Sequence, residues 1–365
     1  MAVYPEQMAQ SLPEHRVGAL AWCRKNLFST WTNSLLTLVL LYILLPPFWH
    51  LVQWAFIQAD WVGDQREQCD SGGACWVFIN VRFSQFIYGF YPEGERWRVD
   101  LMFALCALQM AALMIKGIPG KKWFALSFFG LFPWLALWLL RGGILGLTSV
   151  ETHYWGGLML TLVLALVGIV AALPIGIILA LGRRSSMPVV NSISVVFIEF
   201  WRAVPLITVL FMASVMLPLF LSAQVELDKL LRALIGIILF QSAYMAEVIR
   251  GGLQAIPKGQ YEAAEALGLS YWRSMGLVIL PQALKITIPS IVNTFIALFK
   301  DTSLVTIIGL FDLLAVGKAG LSDPNWLGYS VEAYVFIALI FWIFCFGMSR
   351  YSQYLERQLH TGHKH

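Results

Sequence analysis

Residues Trp155–Leu181 read WGGLMLTLVLALVGIVAALPIGIILAL, a stretch in which no side chain ionises and Thr161 is the one hydroxyl. A helix needs about 20 predominantly apolar residues to cross the hydrocarbon core of a bilayer. Inside lipid every backbone N–H and C=O must find its partner within the segment, which a helix achieves. This stretch is therefore a membrane span. Seven further windows meet the same standard: Leu35–Phe56, Val99–Ile115, Trp123–Leu140, Val189–Leu221, Leu230–Ile249, Leu280–Ile308 and Val331–Met348. The alternating pattern of an outer-membrane strand is absent. The expected fold is all-α: a polytopic integral membrane protein with about eight transmembrane helices.

Composition agrees. Of 365 residues 59% are hydrophobic and 13% charged, and the mean hydropathy is +0.71. Soluble domains carry about 25% charged residues, so a soluble enzyme, a disordered chain and a nucleic-acid binder are poor readings. The first apolar run is too long for the core of a cleaved signal peptide and is expected to remain as an anchor. Five cysteines, Cys23, Cys69, Cys75, Cys106 and Cys345, form no zinc pattern.

The positive-inside rule orients the spans. With the N-terminus in the cytoplasm, fifteen Lys and Arg fall inside, among them Arg16, Arg24, Lys25, Lys116, Lys121, Lys122, Arg183, Arg184, Arg250 and Lys364, against eight outside. Both termini are expected in the cytoplasm. Residues 1–150 then hold a tail, three spans and an outside loop at 57–98. Residues 151–357 hold five spans, and 358–365 a tail. Bridging Cys69 to Cys75 would suit an oxidising compartment; free thiols are the other reading. His360, His363 and His365 in the tail suit a solvated end better than a weak metal site.

Four features inside the spans need a reason. Gly168, Ala172, Gly176 and Ala180 form a ridge of small residues that lets a second helix approach closely, as in ordinary bundle packing. Pro174 beside it predicts a local kink. Glu199 and Arg202 stand three apart and can pair on a helix, next to Pro205, which interrupts the backbone ladder; both charges also fit the headgroup layer. Lys300-Asp301-Thr302-Ser303 interrupts a long apolar run. A broken helix with charges at mid-depth is one way to build a polar solute site, and a helix simply ending at the interface is the other.

The loop after the sixth window carries the most specific signal. It reads GGLQAIPKGQYEAAEALGLS over 251–270, then Tyr271-Trp272-Arg273 and Ile279-Leu280-Pro281. Glu262–Leu267 is a run of good helix formers, and Gly268 suits the left-handed turn that stops one. Ala263, Ala264 and Ala266 leave room for another protein, while Tyr261, Leu267 and Leu269 offer apolar anchors.

Glu262-Ala263-Ala264 with Gly268 and Ile279-x-Pro281 resembles the EAA loop of permease subunits in type I ABC importers. Ala246-Glu247-Val248-Ile249-Arg250-Gly251-Gly252, Ile256-Pro257-Lys258-Gly259-Gln260, Leu280-Pro281-Gln282-Ala283-Leu284 and Lys300-Asp301-Thr302-Ser303-Leu304 are similar to the polar amino-acid branch. The likeness covers about Gly156 to Arg357, and the three-span extension resembles permeases of general L-amino-acid importers from Gram-negative bacteria. One departure stands out: Arg202-Ala203-Val204-Pro205-Leu206 replaces the branch's Arg-Gly-Thr-Pro-Leu.

The resemblance implies a permease core of five helices over 151–357, with a coupling loop at 251–282, in the bacterial inner membrane. Glu262, Ala263, Ala264, Ala266, Leu267, Gly268 and Pro281 would dock on a dimer of separate ATP-binding subunits. A second homologous permease, expected as a heterodimer partner, and a periplasmic amino-acid-binding protein would complete the complex. The chain has no G-x-x-x-x-G-K-[ST] loop, so it is expected to transmit hydrolysis and not to catalyse it; no catalytic residue, metal or cofactor is expected. An amino acid is a zwitterion, and Asp301, Thr302 and Ser303, with Lys300 or Arg202 complementing charge, are the candidate path residues. A stand-alone secondary transporter is the alternative, weakened by the scarcity of intramembrane acids. A membrane scaffold would leave the interrupted seventh window without a purpose.

Overall fold

The computed structural model describes residues 18–115, 117–220 and 227–359. Arg16, Lys116, Leu221, Lys364 and the three tail histidines lie outside the described residues. The chain forms two compact units, Met1–Val77 and Phe78–His365.

In the first unit a short helix α1 (Ala19–Asn26) precedes α2 (Trp31–Val52). Thr30 caps α2 by accepting the N–H of Asn33 at 3.2 Å, satisfying one of the donors a helix start leaves open. No residue of α2 is buried, as suits a helix whose solvent is lipid. After it, Cys69 and Cys75 are joined by a disulfide. Trp76 Nε1 donates to the Ala55 carbonyl at 2.8 Å, and its ring stacks on Trp61.

The second unit is helical throughout its long elements. In order they are α3 (Val77–Tyr88), α4 (Arg96–Met114), α5 (Lys121–Arg141), α6 (Gly157–Arg183), α7 (Pro188–Ala203), α8 (Leu206–Phe220), α9 (Lys229–Ala255), α10 (Lys258–Ala266), α11 (Tyr271–Ile308), α12 (Leu313–Leu321) and α13 (Ser330–Leu359). All eight apolar windows appear as helices long enough to cross a membrane, the fifth as the pair α7 and α8 bent by 101°. The bend falls at Val204-Pro205, where proline removes a donor. The seventh window does not break. Its α-helical part ends at Asp301 and continues as a tighter 3-10 turn over Thr302–Ile308. Two helices were not anticipated. The residues of α3 sit in what reads as a loop, and α12 in what reads as a connector; at twelve and nine residues neither spans the ~30 Å core.

Three prolines explain local widening. Each of the π-helical turns Ser127–Leu131, Met212–Met216 and Met275–Ile279 ends two residues before a proline: Pro133, Pro218 and Pro281. A proline ring collides with the carbonyl four residues back, here Phe129, Ser214 and Leu277, and the wider turn makes room. The Ser214 carbonyl receives the guanidinium of Arg232 from α9.

The bundle closes on α6 and α9. Gly168, Ala172, Gly176 and Ala180 are all buried. A Cβ on Gly176 would lie 2.7 Å from Met245 Cβ and 3.1 Å from the Ala246 nitrogen, and one on Gly168 3.0 Å from Leu298. The ridge is thus the seam between α6, α9 and α11. At one end of the bundle, Ile249, Leu253, Met275 and Ile279 form an apolar cluster beside this seam.

At the other end the backbone itself is packed. Gly156 and Gly157 pair with Phe311 and Asp312, and Gly89 pairs with Trp155. Gly157 has φ +62°, and a Cβ there would lie 2.4 Å from the Phe86 carbonyl oxygen. Asp312 caps α12 by accepting N–H bonds from Leu314 and Ala315, both 3.1 Å. Burial pushes its carboxyl above the ordinary value, while the hydroxyl of Thr306 and these two N–H groups act the other way. Arg98, fully buried, donates to the Thr148 carbonyl at 2.8 Å and pairs with Glu95 at 2.7 Å, fixing α4 to the segment after α5.

Replacing Gly176 by Val forces side-chain volume against Met245. Overpacking of this kind costs about 1–3 kcal/mol. Unfolding of the purified protein in detergent should shift to lower temperature for G176V, with membrane insertion kept; an unchanged transition would mean the seam is loose.

Candidate functional site

The short helix α10 stands off the bundle on a defined mount. Gly268 adopts φ +70°, its N–H donates to the Glu265 carbonyl at 2.8 Å, and the Leu269 N–H reaches the Ala264 carbonyl at 3.1 Å. This is the left-handed stop that the glycine favours. Glu262, Ala263, Glu265, Ala266 and Leu267 face outward, with Leu267 78% exposed and Trp272 beyond it 72% exposed. Ala264 points the other way and is 2% exposed, on the side where α10 meets Met275–Ile279. Pro281 is exposed directly after that turn.

Tyr261, expected as an outward anchor, instead turns inward. Its hydroxyl donates to the Leu253 carbonyl at 3.1 Å and accepts from Arg184 Nη1 at 2.9 Å. Arg184 also donates to the same carbonyl at 2.9 Å and lies over the Tyr261 ring, 5.5 Å from its centroid. Gln282 donates to Gln260 at 3.1 Å. The helix is thereby tied to α6, α9 and α11 at once, and its outer face is left uncovered by the described residues.

Beside this mount lies a charge cluster that the sequence alone did not assemble. Glu247 of α9 accepts from Arg183 of α6 at 2.6 Å and from Arg250 at 2.9 Å. Glu199 of α7 takes the same Arg183 nitrogen at 2.8 Å. Arg202 stands 3.8 Å from both carboxylates and 5.8 Å from the Tyr244 ring centroid. Glu199 and Arg202 do pair, as their spacing predicts, but loosely; the short contacts run between helices. Three guanidiniums surround two carboxylates, which joins the ends of α6, α7 and α9. Arg183 reads as a topology charge in the sequence and is in fact the centre of this joint.

The candidate path residues do not gather into one site within this chain. Arg202 belongs to the Glu247 cluster. Lys300 is exposed and Asp301 half-buried at the end of the α-helical part of α11. Among the described residues Asp301 has no ion pair within 4 Å. The Thr302 hydroxyl donates to the Phe299 carbonyl at 2.7 Å and that of Ser303 to the Lys300 carbonyl at 2.8 Å. Both hydroxyls thus bond the carbonyl three residues back, where the helix tightens.

The spans form a helical membrane bundle with a short exposed helix mounted on one end. Comparison with known proteins agrees. Residues 172–361 match the family of binding-protein-dependent transport system inner membrane components. The inner membrane amino-acid ABC transporter permease protein YhdY of Escherichia coli K12 is 59% identical over 347 residues, 94% of each chain. The glutamate/glutamine/aspartate/asparagine transport system permease protein BztC of Rhodobacter capsulatus is 41% identical over 96% of each. A crystal structure of an amino acid ABC transporter with histidines matches at 30% identity and TM-score 0.50, over 55% of this chain and 92% of that one. The chain belongs to the binding-protein-dependent transport system inner membrane component family. It is a multi-pass permease subunit of the ABC-importer class.

Hydrogen bonds to charged groups contribute about 1.5–3 kcal/mol each, and exposed ion pairs less. Glu247, with 17% of its side chain exposed, should therefore matter more than Glu199, with 52%. Glu247→Gln is expected to lower the unfolding transition in detergent clearly, and Glu199→Gln by under about 1 kcal/mol. The reverse order would show that the cluster is not the joint described.

Proposed function

We propose that this chain forms part of the translocation path of an ATP-driven amino-acid importer of the inner membrane and receives the power stroke through α10. The observation that carries the reading is the mount of α10. Its outer face is uncovered, while Tyr261, Arg184 and Gln260 fix its inner face to three helices. A push on Glu262, Ala263, Ala266 and Leu267 would reach α6 through Arg184 and, beyond it, the Glu247 joint. Ala264 and Pro281 would act as the inner seat and the elbow of the mount.

The motor is a separate pair of ATP-binding subunits. A second permease, related but distinct because of the added spans in 1–150, completes the path, and a soluble amino-acid-binding protein delivers the cargo on the far side. Both termini and α10 face the cytoplasm. Within 151–357, Asp301 is the acid for the ammonium of the cargo, since it lacks an ion-pair partner of its own among the described residues. Thr302 and Ser303 shape the turn that presents it, and Lys300 complements the carboxylate. Arg202 is tied into the Glu247 cluster and acts through that joint.

Gly268→Val tests the coupling role. A left-handed β-branched residue costs at least about 1–2 kcal/mol at that turn, enough for about a tenfold loss of the docking-competent form. Cargo-stimulated ATP hydrolysis by the reconstituted complex should fall about tenfold with the chain still inserted; full stimulation would remove α10 from the coupling role. Asp301→Asn should weaken uptake with assembly and basal ATP hydrolysis intact, and wild-type uptake would take Asp301 out of the path. Cysteines placed at Leu267 and Trp272 should react with an impermeant thiol reagent only from the cytoplasmic side; labelling from outside would invert the orientation.

A further inference from the structure

Two cavities of the second unit share a wall. The first is an apolar groove of about 400 Å³ lined by residues of α4, α5, α6 and α9, including Phe132, Leu137, Val163, Val167 and Leu234. The second is a polar chamber of about 620 Å³ bordered by Arg141, Glu151, His153 and Lys229. Arg141, Thr152, Trp155 and Asp228 line both, so the groove and the chamber are adjacent. Along α5 the lining of the groove runs from Phe128 to Arg141, about 20 Å at 1.5 Å per residue. That is somewhat deeper than the hydrocarbon of one leaflet, half of the ~30 Å core.

The two acids of the chamber are not paired with its two bases. Asp228 caps α9, accepting the N–H of Leu230 at 2.8 Å and of Leu231 at 3.2 Å, and it also takes the Thr152 hydroxyl. Glu151 pairs with His153 at 3.1 Å. Both acids are therefore occupied. Among the described residues Arg141 and Lys229 have no ion pair within 4 Å. The start of α9, with its partial positive charge, opens on the same space. Trp155 is buried at 1% exposure, and among the described residues its indole N–H has no hydrogen-bond partner although the residue lines both cavities. Buried N–H groups are as a rule hydrogen-bonded.

We propose that groove and chamber are one phospholipid site. An acyl chain lies along α6 in the groove. The phosphodiester of an anionic headgroup sits at Arg141 and Lys229, and Trp155 Nε1 donates to a phosphate or ester oxygen. A neighbouring protein helix would fill the groove equally well, but an apolar helix would leave the two cations and the indole N–H unanswered. The lipid would bridge α5 of the three-span extension to α6 and α9 of the core.

The test uses the full chain in its transporter complex, purified in mild detergent, with phosphatidylglycerol and phosphatidylcholine as probes and native mass spectrometry as the readout. Wild type should hold phosphatidylglycerol about thirtyfold more tightly than phosphatidylcholine, the scale expected of two basic residues. Arg141→Gln with Lys229→Gln should abolish that preference while binding of phosphatidylcholine persists. Val167→Trp, which fills the groove, should weaken both. A photo-crosslinker at Leu137 in native membranes should capture a species of phospholipid mass. Equal binding of the two lipids by wild type, a preference that survives the double substitution, or capture of a protein at Leu137 would each overturn the proposal.

Discussion

The approach of α6 to α9 is the contact that the rest of the second unit depends on. Lipid tails are as apolar as leucine, so two helices in a bilayer gain little from burying greasy side chains against each other. They gain from proximity, and Gly176 against Met245 and Ala246 leaves no room for a methyl group. The same contact sets the charges. Arg183 lies about two turns beyond Gly176 on α6, and Glu247 immediately follows Ala246 on α9. Once the glycine is seated, the guanidinium meets the carboxylate, and Arg184 beside it reaches Tyr261 and the mount of α10. One close backbone approach thereby positions a structural ion cluster and the exposed helix together.

Proline acts here with a compensating device. In three spans it is preceded by a π-helical turn that contains the carbonyl its ring would strike. At Pro218 the freed carbonyl of Ser214 is taken by Arg232 from the neighbouring helix. At Pro281 the widened turn Met275–Ile279 is also the surface on which Ala264 rests. The proline near the coupling segment thus shapes the seat of α10 as well as the backbone of α11.

Much of this was legible in the residues, because the relevant signals are local. Long apolar windows mark the spans, Val204-Pro205 marks the bend, and Gly268 marks the end of α10. Other features were hidden because they depend on distant partners. Nothing in Glu247 announces Arg183 on another helix. Tyr261 reads as an apolar anchor until Leu253 and Arg184 are seen to claim its hydroxyl. The short helices α3 and α12 carry apolar runs too brief for a membrane reading, and their helicity comes from packing and, for α12, from the Asp312 cap.

The backbone pairing of Gly156 and Gly157 with Phe311 and Asp312 bears on how the protein is made. These partners are separated by the six helices α6 to α11, so the pairing is a long-range contact whose closure waits on chain entropy. During synthesis α6 enters the bilayer well before the residues that complete its first turn exist. Until then Thr161, whose hydroxyl accepts the Leu313 N–H at 3.1 Å, and the glycine-lined cleft have no partner from that side. Biogenesis of this chain therefore ends with a docking step, in which the last spans close over a helix that was inserted several spans earlier.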